Sequence, residues 1–184
     1  MFIPTREAFF EMSPTQFEKY SLQILQEQFN GAKNLKIEHN IKEHTTDGTY
    51  QIDGVVYFSE GNFDFKILVE CKHHKSSIPR EKIVVLFDKL RALNAQKGIF
   101  ISSSNFQKGA IQYATEHKIA LIQLVPAEIE KKPNILVNRI VNSISDIYND
   151  GKPYIGIMQS YNQGINCSHL TTSNKKLFNY IICD

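Results

Sequence analysis

Two strand-like segments, Tyr50–Phe58 and Phe63–Lys72, carry the residues best suited to chemistry. In the second segment the odd positions are all apolar, whereas Glu70 and Lys72 occupy even positions near its end. Because side chains alternate between the two faces of a strand, one face belongs to a core and the other is polar. The turn residues Ser59–Asn62 between the segments predict a β-hairpin.

The register of this hairpin determines which polar residues meet. A loop with an even number of residues around Glu60 and Gly61 places Asp53 opposite Leu68 and diagonal to Glu70, and it places Gln51 opposite Glu70. Diagonal neighbours lie about 7–8 Å apart, so two carboxylates there can converge on one Mg²⁺ ion. Their charges repel each other unless a cation compensates, and Lys72 on the same face is suited to orienting water or stabilising a pentacovalent phosphate. This pattern predicts a phosphodiesterase site.

A second interpretation, in which these residues are ordinary surface charges, competes with the phosphodiesterase site. An acidic residue two positions before a lysine also occurs at Asp64, Glu116 and Glu130, and most such pairs are solvated surface charges. Glu70 and Lys72 differ because they end an apolar strand and follow an Asp-Gly bend in the preceding segment. The alternatives are therefore a metal site and a salt-bridged sheet face, and a one-residue bulge in the hairpin would exclude the metal site.

The surrounding patterns predict helices and strands in alternation. Ser13 and Gln16 form a capping box with Pro14 at the first helical position, and Ser104–Gln107 offers a second capping box. In order, the predicted elements are a helix from Pro14 that stops before Gly31, an indistinct stretch at Leu35–Ile41, the hairpin and a helix after Pro79. A strand at Gly98–Ile101 follows, then a helix capped at Ser104 that carries Ala110, Ile111, Ala114 and His117, and a strand at Ile119–Val125. This order implies an α/β sandwich with a mixed central sheet flanked by helices.

Four motifs succeed one another along this framework, at Ser13–Glu18, Gln51–Gly54, Val69–Lys72 and Gly98–Ala110. Together they resemble the Mrr-like branch of the PD-(D/E)xK restriction-endonuclease superfamily, over about Ser13 to Val125. The resemblance implies a restriction-endonuclease-like αβββαβ core. Ile52 stands where the superfamily motif has its proline, and Lys131 to Asp184 matches nothing in the resemblance.

The resemblance also implies roles for single residues. Asp53 and Glu70 would be metal ligands for Mg²⁺, which Mn²⁺ can replace, and Lys72 would be the catalytic lysine. Glu18 matches an acid on the first helix that often completes the site in relatives. The implied activity is hydrolysis of DNA phosphodiester bonds in restriction, defence or DNA processing. The alternative is a catalytically silent nuclease-fold module that binds nucleic acid or a partner protein.

Partners follow from the same hypothesis. A module with one site cuts both DNA strands most easily as a homodimer, and a further protein subunit would supply specificity. Weaker candidates for contacts with nucleic acid are Gln51, His73, Lys75, Arg80 and Lys108, within a scattered basic set that includes Lys89. The alternative for that set is a solvated surface. The histidines at positions 39, 44, 117 and 169 show no metal-ligand spacing.

The composition of the chain excludes several classes of protein. With 184 residues, of which 42% are hydrophobic and 22% charged, the chain can bury a core and is neither disordered nor collagen-like. A net charge of +2 does not decide between partners, because the clustering of basic residues matters more than their excess. Three scattered cysteines fit reduced intracellular thiols. We find no signal peptide pattern and no apolar run of roughly 20 residues, so we expect a cytoplasmic protein without membrane association.

The length allows one domain with an appendage. A polar connector after Pro126 marks the expected boundary, with a nuclease-like domain at 1–126 and a small α+β extension of unknown role at 127–184. Within this extension we expect a helix at Asn134–Tyr148 and short strands at Tyr154–Met158 and Leu177–Ile182.

Overall fold

The computed structural model describes residues 6–126, 154–170 and 176–183. The helix expected at Asn134–Tyr148 lies outside these residues. The elements are α1 (Arg6–Phe10), α2 (Pro14–Gln28), β1 (Lys33–His44), β2 (Thr49–Glu60), β3 (Phe63–Lys72), α3 (Arg80–Ala92), β4 (Lys97–Ser102), α4 (Lys108–Glu116), β5 (Ile119–Pro126), β6 (Tyr154–Tyr161), β7 (Ile165–Leu170) and α5 (Lys176–Cys183). In the described part of the chain, every helix is too short or too polar to span a bilayer.

The seven strands form one mixed sheet in the order β1 to β7. Strands β1, β2 and β3 form an antiparallel meander, β3, β4 and β5 are parallel, and β6 and β7 continue antiparallel. Helices α3 and α4 supply the crossovers that parallel neighbours require. The order α2, β1–β3, α3, β4 confirms the predicted α/β fold with its αβββαβ core.

Helices cover both faces of the sheet. On one face, α2 and α5 bury Phe17, Leu25 and Leu177 against the odd positions of β3, including Ile67. On the other face, α3 and α4 pack their apolar sides against even positions of the same strand, such as Leu68. Because both faces of β3 are covered, its centre is a continuous apolar run and its polar residues are confined to its ends.

Helix α2 forms as the capping pattern predicts. Ser13 N donates to Gln16 Oε1 over 2.8 Å and Gln16 N donates to Ser13 Oγ over 3.3 Å, with Pro14 as the first helical residue. The second predicted capping box is wrong. Helix α4 begins at Lys108, and Ser104 instead donates its hydroxyl to the Ser76 carbonyl over 2.7 Å, which joins two loops.

Of the two strands predicted in the extension, one is confirmed and the other is wrong. The strand expected at Tyr154–Met158 is confirmed as part of β6, which pairs with β5 and extends the sheet. The strand expected at Leu177–Ile182 is wrong, because this segment lies in helix α5. Leu177 and Ile181, four residues apart, are buried on one face of that helix. The boundary at residue 126 stays a prediction, although β6 and β7 share the sheet of the first 126 residues.

The hairpin register differs from the predicted one. Glu60 pairs with Phe63, so the turn consists of Gly61 and Asn62 alone, and Gly61 adopts the left-handed φ of 60° that such tight turns require. Leu68 consequently lies opposite Val55. The predicted pairing of Asp53 with Leu68 is therefore wrong, because the turn is centred on Gly61 and Asn62, one residue later than the predicted centre at Glu60 and Gly61. An even shift keeps each residue on its predicted side of an ideal strand.

Candidate active site

The candidate site lies where strand β2 separates from β3. Gly54 and Val69 form the last pair of the ladder, so the backbone N–H of Cys71 has no strand partner on β2. The side chain of Asp53 takes that place, because its Oδ2 accepts the hydrogen bond from Cys71 N at 2.8 Å. A buried N–H group requires an acceptor, and here the acceptor is a carboxylate fixed between the diverging strands.

Gly54 allows helix α2 to approach the strand at this point. A Cβ atom on Gly54 would lie 2.5 Å from Leu22 Cδ2, closer than packed atoms come. Glu18 is one helical turn before Leu22 and faces the same way. The Asp-Gly pair therefore does two things: the first residue provides a carboxylate, and the second lets α2 bring another carboxylate towards it.

Glu18 is hydrogen-bonded to His39, which was not among the predicted site residues. His39 Nε2 lies 2.8 Å from Glu18 Oε2, and about a quarter of the His39 side chain is exposed. His39 pairs with Gly54 across the β1–β2 ladder, which puts it beside the strand separation. Ligand spacing could not have revealed His39, because its partner is on another element. Recognising β1 as a strand next to β2 was the only available signal.

Glu70 is held by helix α3, which lies on the face of the sheet opposite to α2. Lys89 on α3 donates to Glu70 Oε2 over 2.8 Å and to the Gln51 carbonyl over 2.8 Å. The Lys89 side chain is only 15% exposed, so this ion pair is well shielded from water. Lys89 was predicted to belong to a basic set that contacts phosphates. In the structure its ammonium group instead joins α3 to β2 and β3.

The carboxylates of the candidate site affect one another electrostatically. Burial is the largest cause, and repulsion from Glu70 the next, of a shift that raises the pKa of Asp53 to about 6. The hydrogen bond from Cys71 N opposes this shift, Glu18 adds to it and Lys89 reduces it slightly. The pKa of Asp53 is thus raised by a carboxylate on β3 and by another on α2. Such a set is unfavourable when ionised and attracts a compensating cation.

Lys72 stands at the end of β3, two residues beyond Glu70, with an exposed side chain. Its backbone carbonyl accepts a hydrogen bond from Ser103 N at 3.2 Å, which fixes the strand end against the loop after β4. The structure therefore brings Glu18, Asp53 and Glu70 to one region of the sheet, and Lys72 follows Glu70 by two residues at the end of β3.

The donor set fits a hard divalent cation. Asp53, Glu70 and Glu18 each use one carboxylate oxygen in the protein contacts above, so each has a second oxygen for a ligand. Carboxylate oxygens are the preferred protein ligands of Mg²⁺ and Mn²⁺. Within the ranges that the structure describes, no three His, Cys, Asp or Glu side chains already surround a common metal position. Binding would therefore draw these carboxylates together.

The weaker candidates are dispersed. Gln51 is exposed and its amide donates to Asn40 Oδ1 over 2.8 Å. Arg80 and Lys108 are the first residues of α3 and α4, and each lies over a tyrosine ring, at 4.9 Å from that of Tyr113 and 5.7 Å from that of Tyr161.

The other two weak candidates follow Lys72 directly. His73 is half-buried and stacks on Phe17 at a centroid distance of 4.9 Å, so it serves packing at the start of α2. Lys75 is exposed and lines a polar cleft beside the strand end.

Comparison with known proteins gives a family for this arrangement. Residues 9–126 match the family model Mrr_cat, described as a restriction endonuclease. The chain therefore belongs to this restriction endonuclease family, which confirms the resemblance drawn from its motifs. No curated protein matches the sequence.

Three solved structures resemble the chain weakly. The first is a protein of unknown function, AF1548, with 16% identity and a TM-score of 0.48 over 58% of this chain and 55% of that one. The second is the MspJI restriction endonuclease in complex with a 27-mer oligonucleotide, with 17% identity and a TM-score of 0.45 over 61% of this chain and 26% of that one. The third is the DNA modification-dependent restriction endonuclease AspBHI, with 12% identity and a TM-score of 0.36 over 65% of this chain and 35% of that one. The chain spans only part of each structure, and likeness at this level carries no functional argument.

Proposed function

We propose that the protein is a divalent-metal-dependent endonuclease that hydrolyses DNA phosphodiester bonds, with Mg²⁺ as its metal and Mn²⁺ as a substitute. One observation carries the proposal. Asp53 is fixed at the separation of β2 and β3, where its pKa responds to both Glu70 and Glu18, and Lys72 is exposed two residues further on. In a restriction endonuclease family member, this grouping supports hydrolysis at a metal site.

Each residue has a distinct part in the proposed reaction. Asp53 and Glu70 would hold the metal, while Glu18 would assist through a second ion or a bound water. A bound divalent cation would supply positive charge to the phosphate and lower the pKa of water. The ammonium group of Lys72 binds a phosphate oxygen, orients the attacking water and stabilises the charge of the pentacovalent phosphate.

The biological setting proposed for this activity is restriction, defence or DNA processing in the cytoplasm. We propose that the chain acts as a homodimer on duplex DNA, because one chain offers one such site and two strands must be cut. A further protein subunit would supply sequence specificity. Residues 127–184 are proposed to be an extension of the nuclease domain whose first described strand, β6, pairs with β5.

A plasmid nicking assay tests the activity. We expect wild type to convert supercoiled DNA to nicked and linear forms with Mg²⁺ or Mn²⁺ and not with EDTA. Asp53→Asn, Glu70→Gln and Lys72→Ala should each reduce the rate at least about 100-fold, the usual cost of losing one such group. Asp64→Asn is a matched control, because Asp64 also lies on β3 two residues before a lysine but at the hairpin end, where it accepts from Ser59 Oγ.

Circular dichroism establishes that the variants are folded. Absence of metal-dependent nicking by folded wild type would refute the enzyme proposal. Isothermal titration of Mg²⁺ or Mn²⁺ then distinguishes the silent nuclease-fold module, which predicts no metal affinity dependent on Asp53. Equal nicking by Asp53→Asn and Asp64→Asn would contradict the proposed site.

A further inference from the structure

A polar cleft lies beside the candidate site, beyond the ends of β3 and β4. It has a volume of about 810 Å³ and is walled by the loop residues 73–76 and 103–105. Gln123 of β5 lines it from the sheet, and Phe10 at the end of α1 lines it from the side. Among the described residues that line the cleft, none is acidic, whereas Lys75 and two histidines are basic.

Serine side chains hold the two walls together. His74 N donates to Ser103 Oγ over 3.1 Å and Ser103 Oγ donates to the His74 carbonyl over 3.3 Å. Ser104 Oγ donates to the Ser76 carbonyl over 2.7 Å. These three bonds cross between the loops, so the cleft is formed before any ligand arrives. A preformed cleft costs less ordering entropy on binding than a flexible one.

The cleft adjoins the end of strand β3, because His73, the residue after Lys72, lines it. The sheet pairs Lys72 with Ser102 and Ser102 with Gln123, so the strand end and the cleft lining lie in one row. Ser103 N also donates to the Lys72 carbonyl over 3.2 Å. A polynucleotide with its phosphate at Lys72 therefore has a neighbouring nucleotide within reach of the cleft.

Phe10 gives the cleft an aromatic surface that is fixed in place. Its side chain is 49% exposed, although the adjacent Phe9 is buried and contacts it edge to face at 5.6 Å. The Phe10 carbonyl accepts a hydrogen bond from His73 Nε2 at 3.3 Å, and His73 stacks on Phe17. An exposed phenylalanine held by buried neighbours provides a flat apolar surface on which a nucleobase can stack.

We infer that this cleft binds an unpaired nucleotide of the DNA substrate next to the cut. The base stacks on Phe10, and the phosphate lies at Lys75 and His74. Within a duplex, neighbouring base pairs cover both faces of every base, so the Phe10 ring can be used only by a base outside the stack. This inference rests on the proposed function and refines its substrate to DNA that has, or can adopt, an unpaired nucleotide beside the cleaved bond.

Fluorescence anisotropy in EDTA tests the inference without cleavage. The probes are a fluorescein-labelled duplex with a single-stranded overhang and a fully paired duplex of the same length. We expect Phe10→Ala to weaken binding of the overhang probe about 5- to 150-fold, the range for the loss of one base stack, and to leave the paired probe unchanged. Lys75→Ala should weaken binding more at low salt than at high salt.

Matched controls are available at the opposite end of the sheet. Phe63 is 73% exposed at the hairpin turn, and Lys33 is exposed where β1 meets that end. Phe63→Ala and Lys33→Ala should leave both affinities at the wild-type level. An overhang that lacks its bases should bind wild type and Phe10→Ala equally.

Either of two results would overturn the inference. In the first, Phe10→Ala and Lys75→Ala bind the overhang probe as tightly as their control variants do. In the second, Phe10→Ala weakens binding of the overhang probe and of the paired probe equally. The failure of the proposed function is seen separately, as absence of nicking by wild type with Mg²⁺. Because the binding assay contains no metal, its result does not depend on that outcome.

Discussion

Asp53 gives the metal-free protein a pH-dependent stability. Its pKa is about 6 in the folded state, against 3.8 for the ordinary group, so the folded state binds more protons between these values. The stability associated with the protonated form is therefore fully present below pH 3.8 and is lost as the pH rises through about 6. The same ionisation prepares the site for a cation, so metal affinity should increase over this window.

The first prediction concerns Asp53→Asn in EDTA. Above about pH 6 we expect this variant to be more stable than wild type by about 1–2 kcal/mol, after allowance for partial exposure. At about pH 4 the difference should be close to zero, because wild-type Asp53 is then protonated. Urea unfolding at both pH values measures it. A difference that does not vary with pH would contradict the assigned pKa shift.

The second prediction concerns Lys89→Met. Removal of this cation leaves Glu70 partly buried without compensation, so we expect a loss of about 1–3 kcal/mol in EDTA. Excess Mg²⁺ should restore part of that loss, because the metal supplies the missing positive charge at the same carboxylate. Thermal unfolding with EDTA and with Mg²⁺ gives the two values.

Lys66→Met is the control for Lys89→Met. Lys66 forms a comparably shielded ion pair with Glu43 over 2.7 Å, and that pair lies away from the strand separation. It should lose stability too, but Mg²⁺ should not restore it. Equal restoration in both variants would show that the metal acts elsewhere.

At the scale of elements, the contact between α2 and β2 controls the position of Glu18. The third prediction is that Gly54→Ala destabilises the fold by about 1–3 kcal/mol and slows nicking, because the new Cβ forces Leu22 and its helix outward. Adding Leu22→Ala should recover part of the activity by removing the clash. Urea unfolding and the nicking assay measure the two effects.

Gly109→Ala provides the matched control for Gly54→Ala. A Cβ on Gly109 in α4 meets open space, so this variant should be neutral or more stable by up to about 1 kcal/mol. If Gly54→Ala behaves like Gly109→Ala in both assays, close packing of α2 is not what positions Glu18.

The elements also show which parts of the fold a sequence can reveal. Helix α2 was predictable because its cap and apolar face are local signals. Strand β1 was not recognised, because none of its residues is fully buried and only three of its half-buried odd positions, Leu35, Ile37 and Ile41, are apolar. The short apolar segment Leu177–Ile182 suits a strand or a helix equally, and packing against the sheet favoured the helix.

The residues of the candidate site also differ in whether the sequence alone can reveal them. Asp53, Glu70 and Lys72 were predictable from local spacing and from family motifs, although their register depended on a turn that the sequence left ambiguous. His39 and Lys89 were not predictable as site residues, because each contacts its carboxylate across a long stretch of chain. Contacts of that kind follow from tertiary packing.

For the whole molecule, the fourth prediction is a homodimer in solution. Light scattering should give twice the chain mass of 21.1 kDa. In the nicking assay, a dimer should produce linear plasmid together with nicked plasmid, since two sites act in one encounter. A monomeric mass with only nicked product would contradict the prediction.

The separation of β2 and β3 also links activity to the completeness of folding. Its contacts join α2, β1, β2, β3 and α3, over the sequence from Glu18 to Lys89. Sites built from such distant segments form only when all of these segments have docked. Nascent chains that end before α3, and forms in which α3 opens locally, therefore lack the assembled carboxylates. We therefore expect metal-dependent nicking only from the fully folded protein and none from its folding intermediates.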